Sequence, residues 1–188
     1  NINARYCMNN WVSIAVSDAK DGQYTDVFSA TDPTSGHEQN VDVTDKVKDM
    51  GDVYVKATFT AGNDWSSLYS LTADAIYAVG EEKEPTNTST LHNDVFVPNV
   101  ITSKDADGNV ASTALAENWD ANLVDSKDVK MGTCRGWWGT KTNWCNANNV
   151  DAQVMMGSAN NGCAIFKIAA PDGGKVYKMT LTISARYC

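Results

Sequence analysis

Near the end of the chain apolar and polar residues alternate one by one. Tyr177, Met179, Leu181, Ile183, Ala185 and Tyr187 interleave with Lys178, Thr180, Thr182, Ser184 and Arg186. Successive side chains of a strand point to opposite faces, so this period of two predicts one long strand buried on one side. Ile2, Ala4, Tyr6 and Met8 keep the same phase near the start, and Val12, Ile14 and Val16 resume it after the polar break Asn9-Asn10. Gly22 ends a turn in SDAKDGQYTDVFSA, and residues 24–28 read as the returning strand of a hairpin.

After a surface loop at 32–40, VDVTDKVKDMGDVYVKATFTAG predicts a short edge, one helical turn and a strand with Val53, Val55, Ala57 and Phe59 inward. LYSLTADAIYAV predicts another strand, with Tyr69, Leu71, Ala73, Ala75, Tyr77 and Val79 in phase. EEKEPTNTST, at 81–90, lacks apolar periodicity and contains Pro, which marks it as a linker. Residues 93–132 are weakly patterned. DAQVMMGS and GCAIFKIAAP read as two further strands, and PDGG at 171–174 as the turn before the last one. Many short strands with turn signals between them predict an all-β sandwich or jelly roll.

The two alternating ends share their sequence. Residues 1–7 read NINARYC and residues 182–188 read TISARYC, identical at five of seven positions with an offset of 181. Self-similarity at a fixed offset is the mark of a repeated unit. A tandem array with a period near 181 is therefore expected; the alternative is a pair of related edge strands in one subunit, joined to each other or across subunits.

Composition narrows the setting. The formal charge is -8 and no Lys/Arg cluster appears, which argues against nucleic acid as a partner. No apolar run approaches the roughly 18–20 residues needed to span a bilayer as a helix. The chain starts at Asn1 without an initiator Met or signal peptide, so a removed leader or a larger precursor is expected. The five cysteines, Cys7, Cys134, Cys145, Cys163 and Cys188, show no C-x-x-C spacing and no nearby His37 or His92, which disfavours zinc. Disulfides, and with them an extracellular location, are the expectation. If Cys7 and Cys188 are one position of a repeat, four remain; Cys134 with Cys145 and Cys163 with Cys188 is the preferred of three connectivities. The short loop closed by Cys134 and Cys145 would add about 2–3 kcal/mol.

Joined end to start, the segments at 176–183, 12–27, 41–47 and 53–59 run in a familiar order: VYKMTLTI, VSIAVSDAKDGQYTDV, VDVTDKV and VYVKATF. This order resembles the galactose-binding-domain-like jelly roll of discoidin-type domains and carbohydrate-binding modules, in circularly shifted form. The resemblance implies a β-sandwich completed by strands from a neighbouring repeat or subunit. Residues 1–80 would then be the back half of one module, 81–112 a linker or module boundary, and 113–188 the front half of the next or the same module. Such domains often carry a structural calcium, so the resemblance leaves room for that ion without naming ligands. No other cofactor is expected.

Candidate sites are few. Trp137, Trp138 and Trp144 with Arg135 form an aromatic loop between Cys134 and Cys145, suited to stacking on sugar rings, though tryptophans equally serve as packing. Trp11 and Trp65 sit in expected loop tips, and Trp119 in the weakly patterned ENWD. Asp105, Asp107 and Asn109 match the start of a calcium loop, but its twelfth position is Ala116 rather than Glu. Asn87 opens a glycosylation sequon, used if the host glycosylates. No nucleophile elbow, zinc-protease or phosphate-loop motif occurs, and no catalytic role is expected. Two readings remain: a structural unit of an extracellular filament or surface array whose partners are copies of itself, or a carbohydrate-binding, adhesin-like module.

Overall fold

The computed structural model describes residues 12–29, 38–60, 66–78, 88–97, 99–104, 106–107, 110–114, 121–133 and 152–186. Two antiparallel sheets pack face to face as a β-sandwich. The first is built from β1 (Val12–Ser17), β2 (Thr25–Ser29), β4 (Val53–Phe59), β9 (Leu123–Lys127) and β12 (Gly162–Ile168), in the order β2-β1-β4-β12-β9. The second runs β3-β13-β5-β11-β7-β8, with β6 also on β5 and β10 also on β11. Its strands are β3 (Glu38–Asp42), β5 (Ser67–Ala78), β6 (Thr88–Phe96), β7 (Asn99–Lys104), β8 (Val110–Ala114), β10 (Val129–Thr133), β11 (Ala152–Gly157) and β13 (Lys175–Arg186). A single helical turn, α1 (Thr44–Val47), joins β3 to β4.

The alternation that predicted these strands also builds the core. Val53, Val55, Ala57 and Phe59 of β4 are fully buried, as are Leu71, Ala73 and Tyr77 of β5 and Met179, Leu181 and Ile183 of β13. Each large side chain taken from water in this way stabilises the fold by roughly 1.5–3 kcal/mol. Phe96 on β6 meets Phe166 on β12 with ring centroids 6.0 Å apart and planes tilted by 43°, joining one sheet to the other. The Gly22 hairpin forms as expected, with Ser13 opposite Ser29 and Val16 opposite Thr25.

Strands from both ends of the chain enter the same sheets. β12 pairs along the whole of β4, and β13 lies between β3 and β5. The segments before residue 80 and after residue 113 thus build one sandwich. The linker expected at 81–90 differs in its second part. Residues 88–90 open β6, which pairs with β5 from Ala78 opposite Thr88 to Leu71 opposite Phe96. Its alternation is hard to read because its inward positions begin with Ser89, Leu91 and Asn93, only one of them apolar.

The chain changes sheets twice at one corner. Asp128, with φ 54°, separates β9 in the first sheet from β10 in the second, and residues 158–161 return the chain from β11 to β12. The two turns are bonded together: Ser158 N–H donates to the Asp128 carbonyl at 2.7 Å. Gly162 lies against that same carbonyl, where a Cβ would overlap the oxygen and stand 3.0 Å from the carbonyl carbon.

Candidate functional site

The strand slot between β3 and β5 is the first candidate. Inside it, Thr182 faces Asn40 and Thr72, Ile183 faces Gln39 and Leu71, and Ser184 faces Glu38 and Ser70. Ile183 and Ala185 are completely buried, and on the outer face Thr182 Oγ1 donates to Asn40 Oδ1 at 2.8 Å. TISAR thus places two buried apolar side chains, Ile183 and Ala185, on either side of the buried Ser184. Ser184 Oγ is buried and has no hydrogen-bond partner among the described residues.

A second feature breaks the expected phase. The sequence placed Tyr177 on the buried face with Met179, but a bulge between Val176 and Lys178 shifts the register. Val176 takes the inward position opposite Tyr77, and Tyr177 turns outward, 37% exposed. The 43–50 connector follows this irregular edge instead of a regular strand. Val43 N–H donates to the Met179 carbonyl at 3.0 Å and Asp49 N–H to the Val176 carbonyl at 2.9 Å. Thr44 Oγ1 accepts from Met179 N–H at 3.1 Å, and Asp42 Oδ1 accepts from Thr44 N–H at 3.0 Å. The Thr44 hydrogen bonds, with Lys178 nearby, hold the Asp42 carboxyl below its ordinary range. Asp42, Thr44, Asp45, Lys48, Tyr177 and Lys178 line an open cleft of about 500 Å³.

Polar clusters decorate both outer faces. On the second sheet His92 Nδ1 lies 2.7 Å from Asp74 Oδ1 and Nε2 lies 3.5 Å from Asp94 Oδ1. The hydrogen bond to Asp74, with the two carboxylate charges, raises the imidazole above its usual pKa. On the first sheet Lys167 Nζ meets Asp52 Oδ2 at 2.6 Å while Asp52 Oδ1 accepts from Ala170 N–H at 2.9 Å. Lys167 and Ala170 together lower the Asp52 pKa. Lys20 and Asp125 pair at 3.3 Å, and Lys56 stands 5.4 Å over the Tyr24 ring. Such exposed ion pairs are screened by solvent and contribute little to stability.

Few of the residues singled out from sequence fall within the described part. Cys7, Cys134, Cys145 and Cys188, Trp11, Trp65, Trp119, Trp137, Trp138 and Trp144, Arg135, Asn87, Asp105 and Asn109 lie outside the described residues. Cys163 is a free, half-buried thiol on β12, between Thr58 and Lys127 on the outer face of the first sheet. Asp107 lies in an exposed turn between β7 and β8. Among the described residues no group of His, Cys, Asp or Glu side chains is arranged to hold a metal ion, and no helix is long and apolar enough to cross a membrane. Sequence reading missed the Tyr177 cleft because a bulge leaves no mark in an alternating pattern. The His92 cluster did leave one, since His92 and Asp94 are two apart and share a face. Comparison with family models, with curated proteins and with solved structures finds no match to this chain.

Proposed function

We propose that this chain is a non-catalytic building unit of an extracellular filament or surface array, with a sandwich of the galactose-binding-like type. The observation that carries the reading is the heptad twin of β13. TISAR fills a central slot flanked by strands on both sides, and NINAR repeats its apolar positions, Ile2 for Ile183 and Ala4 for Ala185. One chain thus carries two related sequences, which differ at the buried Ser184, where the twin has Asn3. A strand that fits a neighbour's sheet makes a head-to-tail contact, which propagates as a filament unless its rotation closes a ring.

Light scattering after gel filtration, with electron microscopy of the same fractions, tests this. Species well above the 20.3 kDa of one chain, or regular filaments, are expected. Ile2→Asp, which spoils the twin but leaves β13 intact, is expected to return the protein to monomers. A monomeric wild type, or an Ile2→Asp variant that assembles as before, overturns the reading.

A further inference from the structure

The bulge in β13 presents an aromatic ring that regular alternation would have buried. Bulges re-aim side chains in this way at the rims of binding sites. Tyr177 and Val124 are the large apolar side chains exposed among the described residues, and Tyr177 stands in the cleft with four charged neighbours. The size of that cleft, about 500 Å³, falls within the range of small-ligand sites.

The lining selects among ligand chemistries. Two carboxylates, Asp42 and Asp45, and two ammonium groups, Lys48 and Lys178, line the cleft together. Among the described residues none of the four is in an ion pair. A simple cation meets two lysines there and a simple anion meets two aspartates. An apolar molecule would strip water from four charges, and a neutral polyol, though able to hydrogen-bond them, would gain no charge–charge attraction. A molecule carrying both signs satisfies both halves of the lining, and an aromatic face adds attraction for its ammonium group.

We infer that the Tyr177 cleft binds a small zwitterion, whose ammonium group lies against Tyr177, Asp42 and Asp45 and whose phosphate or carboxylate lies against Lys48 and Lys178. This site is independent of the strand slot and holds whether or not the chain assembles. Free amino-acid-like betaines and phosphocholine-type headgroups share the required chemistry, and they differ in their anionic end.

Amide chemical-shift mapping of the full chain in low-salt buffer tests it, with glycine betaine and phosphocholine as probes and choline chloride, inorganic phosphate and methyl glucoside as controls. At least one zwitterion is expected to shift the amides of residues 42–48 and 177–178 and to bind more tightly than choline or phosphate alone. Which zwitterion binds identifies the anionic end that the lysines accept. Tyr177→Ala is expected to weaken binding about two- to fivefold. Lys48→Glu with Lys178→Glu is expected to abolish it, and both variants should melt like wild type because these side chains are exposed. Binding should also weaken at physiological salt, where the screening length is about 8 Å. Silence from both zwitterions, equal binding of choline alone, shifts from methyl glucoside alone, or indifference to the Tyr177 and lysine substitutions overturns the inference.

Discussion

Replacing Gly162 by alanine tests the corner where the chain passes between sheets. The new Cβ would fall on the Asp128 carbonyl oxygen, 3.0 Å from its carbon and 3.4 Å from the Ala159 oxygen. All three neighbours are backbone, so no side chain can rotate away. Moving the Asp128 carbonyl disturbs its 2.7 Å bond from Ser158 N–H, a loss of about 1 kcal/mol, and overpacking adds about 1–3 kcal/mol. The expected cost is roughly 2–4 kcal/mol, a drop in Tm of roughly 5–15 °C for a chain of this length. Gly51→Ala is the control, because the nearest atom to its Cβ would be the Gly174 carbonyl oxygen at 4.0 Å. It is expected to be neutral or to stabilise by about 0.4–1 kcal/mol through the unfolded state. Calorimetric melts of both variants beside wild type provide the comparison. If Gly162→Ala melts with wild type, or if Gly51→Ala loses as much, close backbone approach at the corner is not what selects glycine there.

Tyr77→Phe should leave stability unchanged or raise it by about 1–3 kcal/mol, since the buried phenol has no hydrogen-bond partner among the described residues and burial, then Asp52, pushes its pKa to about 12; a clear loss in denaturant titration would reveal a partner for that hydroxyl. His92 should titrate above its usual value of 6.5 by NMR, and Asp74→Asn should bring it back down. Because the folded pKa is raised, its contribution to the pairing of β5 and β6 is full below the unfolded pKa and fades as pH rises through the folded value. Asp52 works in the opposite window: its folded pKa is lowered by Lys167 and Ala170, so its contribution is present above its ordinary 3.8 and is lost as acid protonates it. Asp52→Asn should therefore lower Tm at neutral pH and flatten the acid limb of the stability profile; an unchanged limb would remove Asp52 from the account. Phe166→Ala removes a fully buried ring that spans the two sheets beside Phe96, and should cost about 3–5 kcal/mol by the same measurement.

Sequence alone was enough to specify the strands whose two faces differ strongly in polarity. β4 reads Val53, Val55, Ala57 and Phe59 inward, and all four are fully buried, because a period-two pattern has only one way to hide its apolar side. The same logic placed β5, β12 and most of β13, and turn signals placed the hairpin at Gly22. The near-identity of NINARYC and TISARYC is likewise a property of the sequence and of nothing else. β6 was lost because its inward side is only partly apolar, so local pattern had little to report until β5 lay beside it.

Tertiary structure decided everything that depends on what a strand lies against. That β13 is a central strand, held by β3 on one side and β5 on the other, follows from pairing partners far distant in sequence, such as Ile183 with Leu71 and Gln39. Tyr177 was expected inward, and a register shift of one residue turned it outward into a cleft, because the 43–50 connector rather than a regular strand borders the start of β13. Gly162 looks like any turn glycine until Asp128, 34 residues earlier, closes on it. Alternation encodes which side of a strand is apolar, a local quantity. Register, bulges and close approaches are settled only when two strands meet, and there the energy of the pair outweighs the preference of either one.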